Sequence, residues 1–511
     1  MKKISTFLLA LLLLVACTSD DQTQLATPFA EKQLVTISAR VASSSPANLP
    51  SKHKVSGKDD GSAIVLTWNE KDQILINVNG KESVFTITDG VATNKASFTG
   101  EMPAAGTSYT AEYPVEYDET VLDNQTYVED GFANGLIKMS TKTAGTVNEG
   151  FVMSADNSVL VLQLTGTHKL GAIVLTNTAT QKFYTLDCTG VELNSTDPTS
   201  FYIVVPAGEW TKGFVVDVFD EEDEYIACFT KKSTANFVAA ESMIMPVKDI
   251  TPMVAYTGVG VFSVSATKQV SFAPGNLQYM PSRKVWRFAP DQTTIVGEYN
   301  KYLSDTYNGW VDLFGHSTAS TNFGAITSTE PNDYSGDFVD WAVNKIGADE
   351  PNTWHTLSAE EWKYLISNRS KYGEVLYALA QVDGLNGLIL FPDNWMNQGG
   401  RPIRYGHKDN GFANNTFSYA SWKELEQEGA IFLPLAGQRD GTGFEMNKSF
   451  GSYRTNNPNP KAWIIILPNW GISQQESRDP VRGISVRLAK ELKDYDADAD
   501  LSKITYTDGS W

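Results

Sequence analysis

The sequence predicts an all-β N-terminal region built as two β-sandwich halves, followed by an α+β domain. Three observations predict it. From Leu34 to Lys248 the chain is a succession of short alternating or aliphatic runs at ordinary strand length, with no helical period among them. A stretch bearing Pro252, Gly258 and Gly260 then reads as a linker over residues 251–260. Beyond it, over residues 261–490, strands mix with helix signals and long aromatic loops.

At the N-terminus, Lys2 and Lys3 precede an apolar run from Phe7 to Val15 that is too short to cross a bilayer as a helix. Leu14-Val15-Ala16-Cys17 then gives way to the polar run Thr18-Ser19-Asp20-Asp21-Gln22. A cysteine placed there resembles a bacterial lipobox. The resemblance implies a lipoprotein signal peptide over residues 1–16, cleavage before Cys17, and acyl chains such as palmitate on the cysteine sulfur and amine. More than one chain is what stable attachment requires. The acidic pair Asp20-Asp21 resembles the surface-export signals of Bacteroidetes lipoproteins. The expected location is the outer membrane, lipid-anchored and cell-surface exposed, or a fimbrium, with residues 17–32 as a linker.

Residues 33–150 are expected to form the first sandwich half and residues 151–250 the second. "LVTISARV" alternates, and "AIVLTW" leads to "DQILINV", the pair Asn79-Gly80 and "SVFTI". Asn-Gly between such runs signals a hairpin, because both central positions favour positive φ. "KASFTG", "SYTAEYP", "SVLVLQLTG", "GAIVLTNT", "FYIVVPAG" and "GFVVDVFD" continue the pattern. The Asn-, Gly- and Thr-rich stretch from Asp118 to Gly150 reads as a loop between the halves. The run from Asp220 to Glu224 reads as a charged hairpin tip, since consecutive carboxylates on a strand-like turn point apart and do not gather a calcium ion.

"LTWNEKDQILI", "ASFTGEMPAAGTSYTAEYP" and "SVLVLQLTGTHKLGAIVLTN" resemble the fimbrillin-like lipoproteins of Bacteroidetes. The resemblance implies two transthyretin-like halves, a role as a pilus subunit or a surface lipoprotein on the same scaffold, and other fimbrillin-like subunits as partners. In that family's assembly a protease removes the first strand after an Arg or Lys. The groove left open has unmet backbone groups and apolar pockets, which a neighbour's extended segment fills by strand addition. Here the first strand is Leu34 to Ser38, and Arg40 is the matching candidate for proteolytic processing.

In the last domain, "VFSVSATKQVSFAPGNLQY" reads as two short strands and "KVWRFAPDQ" as another. Tyr279, Trp286 and Phe288 are read as core filling rather than a binding box. "TWHTLSAEEWKYLI" starts a helix, with Ser358 and Glu361 at the spacing of a capping box and Trp362, Leu365 and Ile366 on one face. "NGLILFPDNW" is a buried strand, "YASWKELEQEGAIFLPLAGQRDGTG" a second helix and a strand, and "RGISVRLAK" the closing strand. Gly275-Asn276-Leu277-Gln278-Tyr279, Trp286-Phe288, Asp312-Leu313-Phe314-Gly315, Leu357-Ser358-Glu361-Trp362, Leu388 to Pro392, Phe432 to Gly437 and Ser485-Val486-Arg487-Leu488 follow one another in this order. Together they resemble the C-type-lectin-like fold of the formylglycine-generating-enzyme (sulfatase-modifying-factor) type. Residues 491–511 are an acidic tail, in which Asp494, Asp496, Asp498 and Asp500 alternate. Ala499 and Thr505 stand where an EF-hand needs Gly and Glu.

The formal charge of −19 argues against nucleic acid as a partner, because an acidic surface repels phosphates. The resembling enzyme works through a cysteine pair and copper, and residues 261–490 hold no cysteine, so that activity is excluded. No Gly-x-Ser-x-Gly, P-loop or His-Glu-x-x-His occurs, and Asp340 and Asp393 are an arbitrary choice of acid and base. No catalytic residue, no cofactor and no metal site is therefore expected. Cys188 and Cys228 leave open a disulfide after export and two free thiols. Glu330-Pro331-Asn332 and Glu350-Pro351-Asn352 match one tripeptide of calcium-dependent sugar binding without the Trp-Asn-Asp that accompanies it.

Binding is the better use of such a domain, since loops on a rigid scaffold vary without unfolding it. Two loops, "YRTNNPNP" and "PNWGISQQE", offer amides beside an aromatic ring. They make Tyr453, Arg454, Asn456, Asn457, Asn469, Trp470 and Gln474 the ligand-binding candidates, with a glycan or a host or bacterial surface as the ligand. Where the family shows a Tyr-Trp-Ser-Ser type sequence, "FGSYRTNN" lacks the Trp. The expected function is a cell-surface lipoprotein adhesin, a fimbrial tip or accessory subunit. The alternative is an outer-membrane glycan-capture lipoprotein outside any pilus.

Overall fold

A computed structural model of the chain describes residues 28–41, 57–59, 64–133, 135–141, 143–250, 255–301, 304–315, 338–371, 373–397, 400–406, 411–440, 443–446, 451–456, 463–467, 471–475 and 482–493. These residues are mostly β-strand, with two nine-residue α-helices. The chain divides into two compact units. One is built from residues 1–42, 68–116 and 139–154, the other from residues 43–67, 117–138 and 155–511.

The first unit closes on itself as a barrel, where the sequence suggested a sandwich half. Around it run Leu34–Val41, Phe151–Ala155, Met139–Thr141, Thr110–Tyr113, Gln73–Val78, Lys81–Asp89 and Lys95–Glu101, which returns to Leu34–Val41. Closure follows from the first strand pairing on both sides. The Asn79-Gly80 hairpin forms as read, with φ of 53° and 80° at its two central residues. Inside, Trp68 is fully buried and meets Phe98 and Tyr113 edge-on at 4.9 and 5.5 Å.

The second unit carries an eight-stranded sheet in the order Tyr225–Lys231, Phe214–Asp220, Lys169–Asn177, Phe183–Glu192, Asn124–Val128, Gly131–Phe132, Gly57–Asp59, Ile64–Leu66. Asn157–Thr165 lies in another sheet, between Thr199–Pro206 and Ser242–Ile244. It is buried along almost its whole length, which is why it reads as a continuous apolar run. The stretch from Asp118 to Gly150, read as a loop, supplies strands to both units. Its polar, Thr-rich strands are short and pair largely with distant segments, such as Asn124–Val128 with Phe183–Glu192, so no local period marks them.

The α+β part of this unit begins and ends in one sheet. Gln269–Phe272 pairs with Val259–Ser263 on one side and with Leu488–Glu491 on the other. Helix α1, Ala359–Ser367, has the capping box its sequence announced. The Ser358 hydroxyl accepts from the Glu361 N–H at 3.2 Å, and Glu361 accepts from the Ser358 N–H at 2.7 Å. Helix α2, Tyr419–Gln427, is capped by Ser418. Both helices bury a Trp, Trp362 and Trp422, against strands Tyr377–Val382, Leu385–Leu390 and Ile431–Pro434. Tyr279, Trp286 and Phe288 sit in a buried cluster with Phe314, Trp341 and Trp354, and fill the core as read.

Candidate functional site

The candidate processing site is built into the first strand. Leu34–Val41 buries every second residue: Val35, Ile37, Ala39 and Val41 face the barrel interior. It runs antiparallel to Lys95–Glu101 over seven residue pairs and parallel to Phe151–Ala155 over three. Arg40 points outward, and its backbone lies between Lys95 and Val152. Loss of this strand would strip two neighbours of their pairing and open a line of apolar pockets. It would also forfeit roughly 1.5–3 kcal/mol for each buried Val or Ile. A strand paired on both sides is a poor protease substrate until it opens locally.

The candidate binding residues are placed differently from the reading. Tyr453 and Arg454 lie in strand Gly451–Arg454 at 1% exposure each, so neither faces a ligand. The Tyr453 hydroxyl donates to the Pro434 carbonyl at 2.9 Å, and burial raises its pKa. Arg454 donates from Nε to the Phe314 carbonyl at 3.2 Å and from Nη2 to the Arg482 carbonyl. A ligand-binding loop was the expectation; Gly451–Arg454 is instead a strand buried at all four residues. Asn456 is half-buried and its N–H donates to the Leu357 carbonyl at 3.1 Å. Gln474 lies in strand Gly471–Gln475, opposite Ile464. Cys17, Asn457, Asn469 and Trp470 lie outside the described residues, as do Glu330-Pro331-Asn332 and the acidic tail from Asp494.

The buried arginines explain how this irregular domain holds its shape. Long segments without ladder partners leave carbonyls to satisfy, and a guanidinium offers five donors. Arg487, 1% exposed, donates to the Ala273 carbonyl at 3.2 Å, the Phe432 carbonyl at 3.0 Å and the Asn276 side chain at 3.0 Å. Burial lowers its pKa to about 10, against the opposing pull of Tyr453 and Glu426. The Gly275-Asn276 and Arg487 motif pieces, far apart in sequence, thus meet. Gly275 is required there, since a Cβ would come within 2.4 Å of the Ala289 carbonyl oxygen.

The carboxylates imagined as acid and base are both taken up by structural donors. Asp393 Oδ2 accepts from the Ser263 N–H (2.8 Å), the Ser263 hydroxyl (2.7 Å) and Gln269 (3.0 Å), and its Oδ1 faces Arg369 at 3.3 Å. Asp340 caps the 3-10 turn Trp341–Val343 and accepts from the Thr356 N–H and hydroxyl at 2.8 and 3.0 Å. Asp312, fully buried, accepts from the Val296 N–H at 2.9 Å and the Asn300 amide at 2.7 Å. Burial raises its pKa to about 6. Glu350-Pro351-Asn352 forms a turn, with the Glu350 carbonyl accepting from the Thr353 hydroxyl at 2.7 Å. Among the described residues, no three His, Cys, Asp or Glu side chains gather as metal ligands. Cys188 and Cys228 are both free thiols.

No reading of the sequence singled out Arg287 and Asp217, which form a buried ion pair. Trp310 Nε1 also donates to Asp217, at 2.8 Å, and the Arg287 guanidinium lies 3.7 Å from the Trp310 ring centre. Local pattern gave no signal: in strand Val285–Phe288 Arg287 faces away from Trp286 and Phe288, toward the side that alternation marks as exposed.

No family model matches the chain, and no curated protein matches it. Several solved structures are similar to parts of it. A provisionally named cell adhesion protein from Bacteroides uniformis is 16% identical, covering 43% of this chain and 93% of that one, with a TM-score of 0.25. A fimbrial protein from Bacteroides ovatus is 12% identical over 89% of this chain and 98% of that one, at a TM-score of 0.21. The tip fimbrial protein Mfa3 from Porphyromonas gingivalis, with a C-terminal truncation, is 12% identical over 39% and 80%, at 0.20. Likeness at this level carries no argument about role, which rests on the chain's own residues.

Proposed function

We propose that this protein is a lipid-anchored surface adhesin of the fimbrillin-like kind, serving as a fimbrial tip or accessory subunit. Its C-terminal domain, of the C-type-lectin-like type, presents the binding loops. The observation that carries the reading is the place of Leu34–Val41, an amphipathic strand held on both sides, whose removal after Arg40 would leave a groove for a neighbour's extended segment. The lipobox-like run ending at Cys17 supports anchoring at the outer membrane. The pairing of Gln269–Phe272 with Leu488–Glu491 supports the lectin-like reading, because it closes a loop-rich domain at its two chain ends. A binding role rather than catalysis suits carboxylates already engaged by structural donors.

The test is co-purification from the cell envelope. Protein with its N-terminus at Val41, which has lost the Cys17 anchor with the removed segment, should bring down fimbrillin-like subunits, and the uncleaved, anchored form should not. Recovery without such subunits, together with retention of a polysaccharide on a glycan array, would replace this reading with glycan capture outside a pilus.

A further inference from the structure

We infer that the second sandwich half and the C-terminal domain are one rigid body, fused by a buried ionic joint, so that the domain is mounted rather than tethered. At the centre Arg287, from strand Val285–Phe288, pairs with Asp217, from strand Phe214–Asp220. Their side chains are 3% and 0% exposed. Trp310 closes the pair from one side through its hydrogen bond to Asp217 and its ring over Arg287. Gln278 accepts from Arg287 Nε at 2.9 Å, and the Tyr225 hydroxyl accepts from Nη1 at 3.3 Å. Nε, Nη1 and a face of the guanidinium are thus used by groups from both domains.

The apolar shell of the joint is likewise shared. Val174, Phe219 and Tyr225 of the sandwich cluster with Met280, Val296 and Trp310 of the C-terminal domain. At the solvent-exposed rim, two carboxylates of the acidic hairpin also reach the C-terminal domain: Asp223 pairs with Arg283, and Glu224 with Lys345 at 2.7 Å. A second clamp has Lys232 paired with Asp291 and lying 4.1 Å over the Tyr419 ring. Tyr225–Lys231 is the edge strand of the eight-stranded sheet, and strand Val285–Phe288 packs beside it. Val174, Asp217 and Cys228 stand opposite one another on three neighbouring strands, so the C-terminal domain packs on one face of that sheet. The stretch read as a linker is pinned at Tyr256, which donates its N–H to Asp349 at 3.1 Å and packs edge-on against Phe288.

A buried pair of this kind contributes little against an apolar replacement of both partners, but its half-removal strands a charge. That asymmetry supplies the test, which holds whatever ligand the domain binds. Native-state hydrogen exchange by mass spectrometry is measured on the full chain across a denaturant series. In the unsubstituted protein the amides of Phe214–Lys231 and of Leu277–Phe288 are expected to exchange through one shared opening, with the same denaturant dependence. Arg287→Met alone should raise exchange in both segments roughly a hundredfold or more, and adding Asp217→Leu should restore most of the protection in both. Opening of Leu277–Phe288 while Phe214–Lys231 stays protected, in the unsubstituted chain, overturns the inference even if neither variant folds. So does a double variant no better protected than the single one.

Discussion

Gln125 lies against Val204 as a neighbouring strand would, donating from Nε2 to its carbonyl at 2.7 Å and accepting its N–H at Oε1 at 2.9 Å. Val204 belongs to Thr199–Pro206, the outer strand of its sheet, and both residues are buried. One side chain thus replaces a missing ladder at a sheet edge.

Gln125→Leu keeps the volume and removes both bonds, together with the one that Nε2 donates to the Leu122 carbonyl at 2.9 Å. The two buried main-chain groups of Val204 then lack partners, at about 1–3 kcal/mol each. The expected loss of stability is at least about 2–6 kcal/mol, read from the midpoint of urea unfolding. A loss within about 0.5 kcal/mol would mean that water reaches Val204.

The carboxyl of Asp312 gives a signed pH dependence. Burial raises its pKa from an ordinary 3.8 to about 6. Between those values the folded state holds a proton that the unfolded chain releases, so this group's contribution to stability falls as pH rises from about 4 to about 6. The fall amounts to roughly 3 kcal/mol. Asp312→Asn should lower stability at pH 4, because an amide nitrogen then faces donors, and should lack that fall. Parallel stability–pH curves for the two proteins would refute the assignment.

Cleavage after Arg40 should follow opening of the strand, not exposure of the arginine. Ile37, 1% exposed, anchors that strand. Ile37→Ala weakens the anchoring by about 2–5 kcal/mol. An Arg-specific protease should then release the Val41 terminus at least about tenfold faster. An unchanged rate of appearance of that terminus would place cleavage in a chain not yet folded.

Tyr453→Phe separates packing from binding. The hydroxyl makes one buried bond, to Pro434, so about 1 kcal/mol of stability should go. Retention on a glycan array should be unchanged. Loss of binding with intact stability would restore Tyr453 as a ligand contact.

Local signals in this chain are trustworthy where a few adjacent residues settle the matter. The Asn79-Gly80 turn, the Ser358–Glu361 capping box and the apolar face of Trp362, Leu365 and Ile366 each depend on backbone preference or on a spacing within one element, and all formed as read. The charged tip at Asp220–Glu224 also stands between two strands, but what it touches was not legible, because Arg283 and Lys345 are distant in sequence.

The sequence by itself determined many of the strands outside Asp118–Gly150, the start of helix α1 and the aromatic filling around Tyr279, Trp286 and Phe288. Only the tertiary structure decided that the first strand closes a barrel, that Tyr453 and Arg454 point inward, and that Arg287 meets Asp217, 70 residues away in sequence. The reason is physical. Turn and cap preferences act over four or five residues, whereas burial of a polar side chain depends on which carbonyl or carboxylate the folded chain brings to it, and no local pattern encodes that partner.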